Sequence, residues 1–119
     1  MINKKKIFCF DIDNTICYTK KSNYHSSKPI KDMITIINSL FLNGHKIKIF
    51  TARHMGRNKD DSKKISVNVK LKTKKQLKMW GVKYHELIFG KPSYDIIVDD
   101  KSILYNKKKT IIKLKKFLI

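Results

Sequence analysis

A chain of 119 residues that is 41% hydrophobic is long enough for one buried core and too short for a separate substrate domain, so residues 1–119 read as a single globular domain. No run of 18 apolar residues exists, which excludes a helix spanning a membrane. The formal charge of +19, from 28 Lys+Arg against 9 Asp+Glu, invites a nucleic-acid reading. All but Arg53 and Arg57 of those basic residues are lysines, in a chain also rich in Ile and Asn. That pattern is the drift of an AT-rich genome, so nucleic acid is not the expected partner.

The elements follow in chain order. Residues 6–11 read as a short buried strand, apolar from Ile7 to Phe10. The chain before it, Met1-Ile2-Asn3-Lys4-Lys5-Lys6, leads into an apolar run that soon meets charge at Asp11, unlike a signal peptide. A cytoplasmic location is expected, with Cys9 buried in the strand and no disulfide to Cys17. Residues 13–29 read as a polar loop. Pro29 opens a helix over 30–42, where Ile30, Met33, Ile34, Ile37, Leu40 and Phe41 recur at helical spacing. Asn43-Gly44 supplies its left-handed cap. Lys46 to Phe50 is the second strand, and strand–helix–strand with short joints is a right-handed βαβ unit.

Residues 52–63 read as a loop at the end of that strand. Ile65, Val67, Val69 and Leu71 alternate as in a strand, although a loop leading into a helix also fits. Thr73-x-x-Gln76 is a capping box, so the spacing predicts a helix over 73–80, packed through Leu77 and Trp80 and stopped at Gly81. Leu87 to Phe89 is a third strand and Asp95 to Val98 a fourth. Thr110 to Ile119 reads as a basic amphipathic helix covering the sheet. The architecture is an α/β sandwich with a small, mainly parallel sheet, whose ligand site lies outside the carboxyl ends of the strands.

Acids are scarce, yet four of them fall in two doublets, Asp11/Asp13 and Asp99/Asp100, each after an apolar run. Carboxylates held close resist ionising unless a cation offsets them. If the two runs are neighbouring parallel strands, the four acids meet, and an all-oxygen site suits Mg²⁺. In a chain that uses lysine by default, Arg53 and Arg57 mark places that need a planar fork for phosphate or carboxylate. His25, His54 and His85 lack zinc-site spacing with the cysteines, and no phosphate-binding Gly-x-x-x-x-Gly-Lys-Ser/Thr loop is present.

Asp11-x-Asp13-x-Thr15, Thr51, Lys91 and Asp99-Asp100 are each weak signals alone. Together, at successive strand ends, they resemble the four motifs of the haloacid-dehalogenase superfamily of phosphohydrolases, over the chain from Ile7 to Asp100. Phe50-Thr51-Ala52-Arg53-His54-Met55-Gly56-Arg57, Gln76-Leu77-x-x-Trp80-Gly81-Val82-x-Tyr84, Ile88-Phe89-Gly90-Lys91-Pro92 and Val98-Asp99-Asp100-Lys101 look like the small capless phosphatases of bacterial capsule and surface-polysaccharide gene clusters. The resemblance implies a three-layer Rossmann-like sandwich with no cap domain. It also implies Mg²⁺-dependent hydrolysis of a small phosphorylated metabolite, such as a sugar phosphate or capsule precursor.

Under that resemblance Asp11 is the nucleophile that forms an aspartyl-phosphate. Asp13 protonates the leaving group and then deprotonates water. Thr51 and the amides after Asp11 hold the phosphoryl oxygens, and Lys91 faces the nucleophile. Asp11, Asp13 through its carbonyl, Asp99 and Asp100 hold the metal. Asn14, Ala52, Arg53, His54 and Arg57 line the substrate site. An uncapped site leaves specificity to loops 14–29 and 52–63 and to a neighbouring subunit, so a homo-oligomer is expected, with 65–71 as an interface strand.

The alternatives are a polynucleotide-end phosphatase, which the positive charge suits, and a non-catalytic basic binding module, against which the intact motifs argue. A phospho-acceptor receiver domain would place its acids in another order.

Overall fold

The structure is a computed structural model and describes residues 4–55, 61 and 65–118. In chain order its elements are β1 (Ile7–Phe10), β2 (Cys17–Tyr18), β3 (Lys28–Pro29), α1 (Lys31–Leu42), β4 (Lys46–Thr51), α2 (Val67–Met79), β5 (Glu86–Phe89) and α3 (Lys107–Lys115). A single 3₁₀ turn, Tyr24–Ser26, lies between β2 and β3. None of the helices among the described residues is long and apolar enough to cross a membrane.

The βαβ unit forms as its pattern dictates. β1 and β4 pair in parallel from Ile7↔Lys46 to Phe10↔Ile49, with α1 as the crossover. Gly44, at φ +90°, ends α1 in the left-handed region that glycine enters without steric cost. The Gly44 and His45 amides then reach back to the Phe41 and Leu40 carbonyls, the pairing that satisfies the last turn of a helix. β5 adds in parallel on the other side of β4, from Lys48↔Glu86 to Thr51↔Phe89. The strand order is β1-β4-β5, so Phe10, Thr51 and Phe89 close the strands along one edge. β2 and β3 form a separate antiparallel pair.

Strand alternation decides what the sheet buries. Phe8, Phe10, Ile47, Ile49 and Leu87 share a face and join one cluster with Met33, Ile37 and Leu40 of α1, Leu77 of α2 and Leu114 of α3. Each fully buried Ile or Leu there contributes roughly 2 kcal/mol. On the opposite face Ile7, Cys9, Lys46, Glu86 and Ile88 are exposed, and Glu86 meets Lys46 and Lys48 at 3.5 and 3.6 Å. The described residues thus build an α/β fold with one covered sheet face, in place of three layers.

Several expectations change with it. Cys9 is exposed, because it lies on the uncovered face of an edge strand. Residues 95–98 form no strand, and Ile96, Ile97 and Val98 are 83%, 55% and 94% exposed; an apolar run without a pairing partner or a covering layer stays out of the sheet. The alternating stretch before Thr73 is helical: α2 starts at Val67, where the Ser66 side chain accepts the Val69 amide. Thr73 is buried in mid-helix and caps nothing. α3 begins earlier than expected, with Asn106 accepting the Lys109 amide, and the chain beyond Lys115 leaves the helix. Phe117 packs edge-on against Phe8 at 5.1 Å, and His45 ties the same tail down through Nε2 to the Phe117 carbonyl at 2.9 Å.

Candidate active site

Ile12 has no exposed surface, and its carbonyl accepts the amides of Thr15, Ile16 and Cys17. This anchor fixes the turn after β1 and sets the acids on either side of it.

Asp11 directly follows β1. Lys91, just past β5, reaches across the intervening β4 to place its Nζ 3.5 Å from Asp11 Oδ1, while its own amide donates to the Thr51 carbonyl at 3.1 Å. Three of the sequence-predicted residues therefore meet at the carboxyl edge of the sheet. Burial pushes the Asp11 carboxyl above the ordinary aspartate range; Lys91 and the Ile12 amide pull it back only in part, and the Asp13 charge adds to the rise. Burial works against the Lys91 charge, but the Tyr94 hydroxyl and the Asp11 carboxylate outweigh it and hold the ammonium proton more tightly than usual. Lys91 also lies over the Tyr94 ring, 5.3 Å from its centre.

Asp13 is engaged differently. Arg53, 3% exposed, donates through Nη2 to Asp13 Oδ1 at 2.9 Å and through Nε to Oδ2 at 3.0 Å. Thr19 Oγ1 donates to the same Oδ1 at 2.6 Å. This is the two-pronged geometry for which Arg is suited and Lys is not. The third prong of Arg53, Nη1, donates to Gln76 Oε1 at 2.7 Å, and Gln76 Nε2 donates to the Tyr24 carbonyl at 2.8 Å. The Tyr24 ring lies 4.8 Å from the guanidinium carbon and 5.4 Å from the His54 ring. One arginine thus links the turn after β1, the loop after β4, helix α2 and the 3₁₀ turn.

Of the remaining expected residues, Thr51 is fully buried and its hydroxyl oxygen accepts the Arg53 amide at 3.1 Å. Asn14 is a left-handed corner, φ +62°, whose Oδ1 accepts the Thr19 amide. Ala52 accepts the Met55 amide in a tight turn, and His54 is also left-handed at φ +63°. Arg57 lies outside the described residues. Asp99 and Asp100 are exposed, and Asp99 Oδ1 accepts the Lys101 amide.

Among the described residues no group of three or more His, Cys, Asp or Glu side chains is placed to hold a metal ion. Thr19, Gln76, Tyr24 and Tyr94 were not among the expected site residues. Gln76 carried a signal as a polar residue between helical core positions, whereas a lone Thr or Tyr in a polar loop carries none.

No family model matches the chain, and no curated protein matches it. Among solved structures it is similar to the crystal structure of an MCSG target from Vibrio cholerae, with 25% identity over 95% of this chain and 98% of that one and a TM-score of 0.76. That likeness supports the small α/β fold along nearly the whole length of both chains.

Proposed function

We propose that this chain is a phosphomonoester hydrolase acting through an aspartyl-phosphate on Asp11, with a small phosphorylated metabolite as substrate. The resemblance to capless capsule and surface-polysaccharide phosphatases points to a sugar phosphate or similar precursor. The observation that supports the reading most is the 3.5 Å approach of Lys91 to Asp11, beside Thr51 at the carboxyl edge of a parallel sheet. A carboxylate, an ammonium and a buried hydroxyl are what in-line phosphoryl transfer asks of a protein: alignment and charge stabilisation.

In the first step Asp11 Oδ attacks phosphorus, a P–O(Asp) bond forms and the P–O(ester) bond breaks. Lys91 offsets charge on the equatorial oxygens, and the Thr51 hydroxyl has a proton to donate to one of them. Asp13 first takes up a proton from solvent, giving up its carboxylate pairing with Arg53, and gives that proton to the departing alkoxide. Water then attacks the aspartyl-phosphate, gives its proton to Asp13 and releases inorganic phosphate. For Asp13 to face the leaving group, Oδ2 must give up the 3.0 Å bond from Arg53 Nε.

Mg²⁺ belongs to this reading through the resemblance: Asp11, the Asp13 carbonyl, Asp99 and Asp100 would hold it, and it would neutralise charge on the phosphoryl oxygens. The test is phosphate release from sugar monophosphates with and without Mg²⁺, wild type against Asp11→Asn. Release by wild type and none by the variant is expected; equal rates would remove Asp11 as nucleophile. Asp99→Asn is expected to raise the Mg²⁺ concentration for half-maximal release at least about tenfold; an unchanged requirement would take Asp99 out of the metal site.

A further inference from the structure

A cavity of about 800 Å³ opens beside the site, between the stretch around Tyr24 and one face of α2. Val69, Thr73, Gln76 and Met79 line it from α2, at the three- and four-residue spacing that puts side chains on one helix face. Its polar complement is one-sided. Lys20 and Lys21 line it from the β2 side, Lys72 and Lys75 from α2, and no Asp or Glu is among its described lining residues. Arg53 also lines it, but its three donor nitrogens face Asp13 and Gln76, so the lysines are the cations left for a ligand. Their stems, with Val69 and Met79, make the walls largely apolar, and a concave low-dielectric wall focuses a field of one sign.

The volume matches the range for small-molecule sites, about 300–1,000 Å³, which suits a compact ligand. Arg53 is common to the cavity wall and to Asp13, two residues from the proposed nucleophile. We propose that this cavity binds the second phosphate of a small polyanion such as a sugar bisphosphate. That this polyanion is also the substrate, with its other phosphate at Asp11, rests on the phosphatase reading; its binding does not.

The test is calorimetric titration of the full-length Asp11→Asn protein with fructose 1,6-bisphosphate and with fructose 6-phosphate. The bisphosphate is expected to bind at least about tenfold more tightly, as two to four exposed charge pairs allow. Lys72→Gln with Lys75→Gln should erase that preference, whereas Lys113→Gln with Lys115→Gln on α3, an equal change in net charge, should keep it. Circular dichroism melts check that both double variants fold. Equal affinity for the two sugars, or equal loss in both double variants, would overturn the proposal. So would tighter binding of a thymidine octanucleotide that both double variants weaken alike. Wild type that hydrolyses monophosphates without a bisphosphate preference sinks this inference alone. Selective bisphosphate binding with no phosphate release from any substrate sinks the phosphatase reading alone.

Discussion

Arg53 and Asp13, forty residues apart in the chain, are clasped by two charge-assisted hydrogen bonds of 2.9 and 3.0 Å. The arginine is 3% exposed and the aspartate 21%, so solvent screens the pair weakly. Removing one partner leaves the other charge poorly compensated. Arg53→Ala is expected to destabilise the fold by about 3 kcal/mol, read as a shift of the urea midpoint at constant slope. Arg53→Lys keeps the charge but loses the fork and should cost about half as much. A double-mutant cycle with Asp13→Asn should give a coupling of about 1–3 kcal/mol; a coupling near zero would mean that the clasp adds nothing to the fold.

Asp11 stands in the opposite position, because folding makes its charge harder to hold. Its folded-state proton affinity is raised, first by burial. Between the unfolded and the raised folded value the native chain binds more protons than the unfolded one, so stability falls as pH rises through that window and stays lower above it. Asn mimics the protonated acid at every pH, and the attraction of Lys91 is already contained in the net upward direction. Asp11→Asn should therefore gain stability over wild type near pH 7, by a margin that shrinks toward zero below about pH 3.5. Urea melts across that range check it. An Asn variant less stable than wild type at neutral pH would reverse the sign and show that Lys91 outweighs burial.

Much of the fold is legible in the residues themselves, where burial and periodicity coincide. Ile7 to Phe10, the helical spacing from Met33 to Phe41 and the Asn43-Gly44 stop each specify their element locally, and the structure follows them within a residue or two. α2 is harder because only Thr73 and Leu77 are buried along it. With so little helical face to see, the chance alternation from Ile65 to Leu71 mimics a strand, and Ser66 was the informative residue. Ile96 to Val98 shows the converse, since an apolar run defines a strand only where a neighbour offers an edge. At the site, Asp11, Thr51 and Lys91 are readable because each ends or follows a strand that pattern alone locates. Asp13's partners are not: Arg53 is marked by rarity, but Thr19 and Gln76 reach it through a turn and a helix face that no local spacing encodes.

The end of α2 offers a check on the backbone that is independent of chemistry. Gly81 sits at φ +72°, and a Cβ added there would meet nothing within 4 Å. Any cost of substitution is therefore conformational, not steric against a neighbour. Gly81→Ala should lose roughly 1–2 kcal/mol, the left-handed penalty for a residue with a Cβ, and Gly81→Asn less, because Asn tolerates that region. Equal costs for Ala and Asn in thermal melts would show that the helix does not end in this conformation.

Thr51 separates positioning from chemistry. It is fully buried, its oxygen accepts the Arg53 amide at 3.1 Å, and its carbonyl accepts the Lys91 amide at 3.1 Å. Only the hydroxyl is lost in Thr51→Val, which keeps the shape and the carbonyl. The Arg53 amide then lacks its acceptor, at a cost of about 1–3 kcal/mol in stability. If the hydroxyl also donates to the transferring phosphoryl group, kcat should fall roughly 10²-fold with KM nearly unchanged, as when one donor to a developing oxyanion is removed. Thr51→Ser should restore most of the rate while packing less well. A Val variant that loses stability but keeps kcat would leave Thr51 as a support for Arg53 and take it out of the reaction.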